Sequence, residues 1–187
     1  MKKTMFAVLA AMSFAISTTA YANQLVTNGG FETGDFSGWT RSGTSNNTVV
    51  NSQVVHSGTY SAALGPIGGD GFLSQSLATQ VGQSYELTYF LQNDGGTPND
   101  FSVTVGGITL FSQSNIPAQL YTQQIFDFVA TSNATNLTFG FRNDPRFFHL
   151  DDVSVATVPE PATTALLGLG LLGFAVSRRK SAKSKNA

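Results

Sequence analysis

Residues 84–91 alternate Tyr85, Leu87, Tyr89 and Leu91 with Glu86, Thr88, Phe90 and Gln92. A period of two over eight residues predicts a half-buried β-strand. The next run places Phe101, Val103 and Val105 on one face and Ser102 and Thr104 on the other. Gly106-Gly107 then turns the chain into residues 108–111, which predicts a hairpin. Residues 123–129 and 136–142 form two further strands, the second with Leu137, Phe139 and Phe141 facing one way and Thr138 and Arg142 the other. Residues 150–155 form the last. Turn-forming clusters separate them at 65–71, 93–100 and Asn143-Asp144-Pro145. No window keeps a helical period. Strands at this spacing, with loops gathered at the sheet ends, predict an all-β jelly-roll β-sandwich of two antiparallel sheets, one domain over residues 23–157.

Two segments break this pattern. The chain opens Met1-Lys2-Lys3, runs apolar over 5–16 and reaches Ala20-Tyr21-Ala22. Basic residues, an apolar stretch and an Ala-x-Ala site predict a secretory signal peptide over 1–22, cut by signal peptidase between Ala22 and Asn23. At the other end, Val158-Pro159-Glu160-Pro161 precedes an uncharged run over 162–176 and then Arg178-Arg179-Lys180. Crossing a hydrocarbon core takes about 20 residues, a length reached with 158–164 in the interface. A core helix would keep a polar face, and this run has none. A single hydrophobic transmembrane helix over about 162–177 is expected, with the basic tail on the cytoplasmic side.

Charge changes the picture between the two segments. The whole chain is near neutral at −1. Residues 23–158 hold ten carboxylates against Arg41, Arg142 and Arg146, a net of −7, and no lysine. Phosphate backbones need a basic surface, so a nucleic-acid partner is excluded. Cysteine is absent, which removes disulfides and thiolate metal sites. An acidic domain of this kind suits a divalent cation.

The order Pro-Glu-Pro, Gly- and Leu-rich span, Arg cluster, in "VPEPATTALLGLGLLGFAVSRRK", resembles the PEP-CTERM sorting signal of Gram-negative bacteria. The resemblance implies export through the inner membrane, transient anchoring there by the C-terminal helix, cleavage by an exosortase near Val158, Pro159, Glu160 and Pro161, and delivery to the cell surface or extracellular matrix. Arg178, Arg179 and Lys180 are the basic cluster of that signal.

Four further patterns lie between the signals: "NGGFETGDFSGW" from Asn28, "VHSGTYSA" from Val55, residues 73–77 leading into "QSYELT", and "LDDVSV" from Leu150. Together they resemble the galactose-binding-like jelly roll of many carbohydrate-binding modules. The resemblance implies that the first and last strands lie side by side. It also implies a structural Ca²⁺ held by Glu32, by Asp151 or Asp152, and by main-chain carbonyls of His56 and Ser57. The oxygen-rich set suits calcium. Asp151 shares parity with Val153 and Val155 and is expected to point inwards, where a carboxylate needs a partner; capping backbone amides is its alternative role. Trp39 is expected in the core. For a ligand surface the candidates are Asn93, Asp94, Arg142, Asp144, Arg146, Phe147, Phe148 and His149, which set arginine forks beside aromatic rings.

Catalysis is not expected. No carboxylate pair falls in a hydrolase pattern, no Ser or Cys stands beside a base in a motif, and 65–71 lacks the lysine of a phosphate loop. The expected role is non-catalytic binding of glycan, with extracellular matrix polysaccharide as a partner. The alternative is a structural matrix protein without a specific sugar, which a long uncharged edge strand over 123–129 would favour.

Overall fold

The computed structural model describes residues 23–158. The expected transmembrane helix over 162–177, Ala20, Ala22, and the Pro159, Glu160, Pro161, Arg178, Arg179 and Lys180 of the sorting signal lie outside the described residues.

Alternation becomes strand wherever the sequence shows it. Among the described residues the strands are β1 (Thr40–Gly43), β2 (Thr48–Asn51), β3 (Ser61–Leu64), β4 (Gly71–Ala78), β5 (Ser84–Asn93), β6 (Asn99–Val105), β7 (Ile108–Ser114), β8 (Gln119–Val129), β9 (Ala134–Asn143) and β10 (Phe148–Thr157). They form two five-stranded antiparallel sheets, β1-β4-β9-β6-β7 (the first sheet) and β2-β3-β10-β5-β8 (the second). The jelly-roll expectation is borne out. β6 and β7 pair through Gly106-Gly107, both at positive φ, as a two-residue hairpin requires. β7 and β8 are the margins of their sheets on one side of the sandwich.

The core lies between the sheets. Phe31, Tyr89, Phe101, Phe139, Phe141 and Phe148 are fully buried there. Tyr89 meets Phe139 edge to face at 5.3 Å, and Phe101 meets Phe148 likewise at 5.3 Å. Each such side chain contributes about 1.5–3 kcal/mol by leaving water. Trp39 also packs inwards, stacked on Phe31 at 5.8 Å, with its indole N–H donating to the Asn28 carbonyl.

The last strand changes phase part-way along. Phe148 and Leu150 face the core, and so do Val153 and Val155. The odd spacing between Leu150 and Val153 is absorbed by a β-bulge between Asp151 and Ser154, where Asp152 takes φ +49°. Asp151 therefore does not share a face with Val153, as its parity predicted; it turns to the outer side of the second sheet.

The first strand is not beside the last, because β1 belongs to the first sheet. What runs beside β10 is the irregular segment from Gln24 to Gly29. Leu25 N–H donates to Val155 O at 2.8 Å and Val153 N–H to Gly29 O at 3.0 Å. A Cβ at Gly29 would stand 2.0 Å from Val153 O, so only glycine permits this approach.

Candidate functional site

Three acidic residues bond the same loop where the first and last motifs join. Asp151 is fully buried; its Oδ2 accepts from the amides of His56 at 2.9 Å and Ser57 at 3.3 Å, and its Oδ1 from the Asp152 amide at 2.8 Å. Glu32 accepts from Thr59 N–H at 2.9 and 3.0 Å and from Tyr60 N–H at 3.0 Å. Asp152 bonds His56 Nδ1 at 2.6 Å and the Ser57 hydroxyl at 2.8 Å. The loop over 52–60 is thus pinned to β10 by its own N–H groups. His56 stacks on Phe90 at 3.6 Å, and Tyr121 donates to Val54 O at 3.1 Å. Burial pushes the Tyr121 phenol up to about 12. Burial also raises the Asp151 pKa, outweighing the three amides that lower it.

This junction fits calcium in kind but not as a finished cage. A Cβ at Gly30 would lie 3.5 Å from Asp152 Oδ1, 3.9 Å from Asp151 Oδ1 and 3.7 Å from Glu32 Cγ, so two carboxylate oxygens and the stem of a third acid border one point. Among the described residues no arginine lies within ion-pair distance of them. Yet no group of three acidic or imidazole side chains converges as ligands among the described residues. The loop also turns amides, not the expected His56 and Ser57 carbonyls, toward Asp151.

The expected ligand residues separate into three groups. Phe148 is in the core and meets no solvent. Asn93 is buried too. Its amide donates to Ile116 O at 2.7 Å and its oxygen accepts from Gly95 N–H and Asn143, so it locks the loop over 94–98. Asn99 and Asn143 join that cluster. All three extend the core-facing register of Leu91, Phe101 and Phe141, a parity the sequence carried. On the second sheet's outer side Asp94 meets His149 Nε2 at 3.1 Å, and Phe147 and His149 line a shallow hollow with Ala63, Val49 and Asn51. Arg146 is exposed at the loop end.

Arg142 lies on β9 of the first sheet, and Asp144 just past the end of that strand. The guanidinium donates twice to Asp144 Oδ2, at 2.9 and 2.6 Å, while Oδ1 accepts from Gly68 N–H at 3.2 Å. Arg142 stands opposite Asp100 in the β6–β9 register. Burial, and then Asp70 nearby, raise the Asp100 pKa.

Sequence reasoning missed Phe72 on the same face. β4 buries Leu73, Gln75 and Leu77 and turns Phe72, Ser74 and Ser76 outwards. Glycines stand on both neighbouring strands. A Cβ at Gly43 would lie 2.9 and 3.2 Å from ring atoms Cδ2 and Cε2, and one at Gly140 would lie 3.2 and 3.3 Å from Cε1 and Cδ1. Near and far carbons of each ring edge differ little in distance, so the ring lies down on the sheet rather than standing from it. Its outer face is open, with 37% of the residue exposed. Ser102, paired with Gly140 in register, places a hydroxyl beside it.

A carbohydrate-binding domain model matches residues 23–145, and a PEP-CTERM protein-sorting motif matches 157–180. The chain belongs to that carbohydrate-binding domain family and carries the sorting motif of exported, transiently membrane-anchored, exosortase-processed proteins. Among solved structures it is similar to TmCBM61, determined with β-1,4-galactotriose (19% identity, TM-score 0.61, 73% of this chain and 99% of that one). It is also similar to the CBM22-1 xylan-binding domain of Paenibacillus barcinonensis Xyn10C (19%, 0.52, 76% and 100%). A third is the K3 cleaved adhesin domain of Lys-gingipain from Porphyromonas gingivalis (15%, 0.57, 73% and 99%). At these identities the likeness is one of fold. No curated protein matches the chain.

Proposed function

We propose that this protein binds a polysaccharide non-catalytically on the outer face of the first sheet, after export by signal peptidase and exosortase processing to the cell surface or matrix. The observation that carries the reading is Phe72, lying flat between Gly43 and Gly140 with its face open. Such a ring offers an apolar face to the C–H face of a pyranose, and the apolar area the contact covers contributes about 25 cal/mol per Å². Around it Ser74, Ser102, Asp100 and the Arg142–Asp144 pair supply donors and acceptors for hydroxyls. Both oxygens of Asp144 are already engaged, which suits recognition better than proton transfer.

The neighbours supply the probes. Affinity electrophoresis of residues 23–158 in β-1,4-galactan, in xylan and in the host's own exopolysaccharide tests the reading. Retardation by one of them, lost in Phe72→Ala with the melting temperature kept, is the expected result. No retardation by any of the three would move the assignment to a structural matrix protein. One observation favours that second reading: β8 is an eleven-residue sheet margin whose only charge is Asp127.

We also infer that Glu32, Asp151 and Asp152 hold a structural Ca²⁺, on the strength of two aspartate oxygens beside Gly30, the adjoining Glu32, and no arginine within ion-pair distance of them among the described residues. The ion would supply charge balance at the junction. Melting in calcium against EDTA checks this. A calcium-dependent rise that Glu32→Gln removes is expected, and identical melts would sink the ion while leaving the fold.

A further inference from the structure

The two ends of the sandwich differ in charge. One gathers the loops over 65–71, 94–98 and 143–147 and carries Asp70, Asp94, Asp144 and Arg146. The other gathers 79–83, the Gly106-Gly107 turn, 130–133 and the last residues of β10. It is knitted by Gly82 N–H to Ala130 O at 2.8 Å, Thr79 N–H to Asn133 O at 3.1 Å, Gly106 N–H to Asn136 O at 2.9 Å and Val158 N–H to Ser84 O at 3.0 Å. None of 79–84, 105–108 or 129–136 is charged. Three aliphatic side chains stand out from it: Val81 at 64% exposure, Ile108 at 61% and Val129 at 57%. Beside them a mostly apolar groove of about 380 Å³ opens between β7 and β8, lined by Val105, Leu110 and Phe128 with Asp127 at its border.

The sorting motif leaves from this end. Val158 is fixed to Ser84, and Ser84 pairs with Val129. Only Pro159, Glu160 and Pro161 separate Val158 from the uncharged run that starts at Ala162. Four Cα steps reach at most about 14 Å. The headgroup layer itself takes up roughly 5–8 Å of that. While the chain is anchored, this end of the sandwich must therefore sit within about one side chain's length of the lipid headgroups.

We propose that the uncharged end, through Val81, Ile108 and Val129, is a docking surface for the phospholipid interface, which holds the sandwich upright on the bilayer before processing. The contact need not be strong in free solution. Tethering makes it intramolecular, and a local concentration in the millimolar range lets a few apolar side chains suffice. The acids Glu86 and Asp127, which face each other across β5 and β8, come next along the sheet and mark where the surface stops suiting an anionic bilayer. Upright docking leaves the Phe72 face and the charged loop end clear of the membrane.

The absence of cysteine from the chain makes a clean test. Single variants Val81→Cys, Ile108→Cys, Val129→Cys and, at the far end, Ile67→Cys are labelled with bimane in the full chain. Each is reconstituted in phosphatidylethanolamine–phosphatidylglycerol vesicles containing a headgroup-nitroxide lipid. Quenching at the first three sites several-fold above that at Ile67 is the expected result; equal quenching at all four overturns the proposal. Because a tether alone brings the end near lipid, Val81→Asp with Val129→Asp is added to the Ile108→Cys chain. Quenching there should fall toward the Ile67 value. If it stays, the aliphatic tips make no contact and the proposal fails. Quenching that appears only when exosortase is reconstituted alongside would also overturn it, in favour of a protein surface as the partner.

Discussion

The outer faces of the two sheets are built from similar residues and put them to opposite use. On the second sheet, Glu32, Asp151 and Asp152 spend their oxygens on the amides and hydroxyl of the 52–60 loop, and that loop lies over Phe90 and Tyr121. On the first sheet, Phe72 lies uncovered, and glycines rather than a loop hold it down. Polar groups covered by a loop of the chain hold that loop down and present nothing to a sugar. Polar groups left facing water beside an open ring can exchange that water for a sugar's hydroxyls.

Substitutions at the two faces should therefore separate stability from binding. The largest effect is expected for Asp151→Ala, which leaves three N–H groups without their acceptor; about 2–4 kcal/mol of folding free energy should go, read in a urea titration. A midpoint within a few tenths molar of the parent would mean that the junction is not structural. Phe72→Ala reverses the pattern. Polysaccharide affinity should drop tenfold or more, since about 1.4 kcal/mol is one decade, while the urea midpoint barely moves.

Gly140→Ala is a milder test of the same face. Its methyl would crowd Ser102 Oγ and lift the Phe72 ring, so affinity should weaken a few-fold with the ring still present. Unchanged binding would show that the ring's flat pose does not matter.

The smallest expected effect is on pH dependence. Asp100 and Asp151 both have raised values, with burial the leading cause. A carboxyl that holds its proton more tightly folded than unfolded opposes folding when ionised. These two groups should add stability as pH falls from neutral through their folded values, an increment complete near the ordinary 3.8. Asp35, held low mainly by Ser37, works the other way and loses its contribution below that point. Melts in EDTA between neutral pH and about 4 should show a rise that is smaller in Asp100→Asn. An identical rise in the variant would assign it elsewhere.

Most of the fold was legible because β-strands write their period locally. β5, β6 and β9 each bury the residues that alternation selects, and Gly106-Gly107 marks its hairpin. Asn93 was misplaced because asparagine reads as a turn former, although it continues the inward parity of Leu91. Asp151 was given the wrong face because a bulge leaves no composition mark: the extra residue shows only in pairing. Phe72 escaped for a different reason. Its meaning depends on Gly43 and Gly140 being its neighbours, and that adjacency is set by the order β1-β4-β9, which no local window contains.

The bulge in β10 acts on this strand as a frameshift acts on a reading frame. Upstream, even-numbered positions such as Phe148 and Leu150 spell the core; downstream, the odd-numbered Val153 and Val155 do. Straightening the strand without removing a residue would force a choice: either Val153 and Val155 leave the interior, or Phe148 and Leu150 do; deleting Asp152 would instead bring all four into one frame. The two halves of the strand are thus written in different registers and joined at Asp152. A substitution series along β10 should change its rule of tolerance, from even to odd, at that one position.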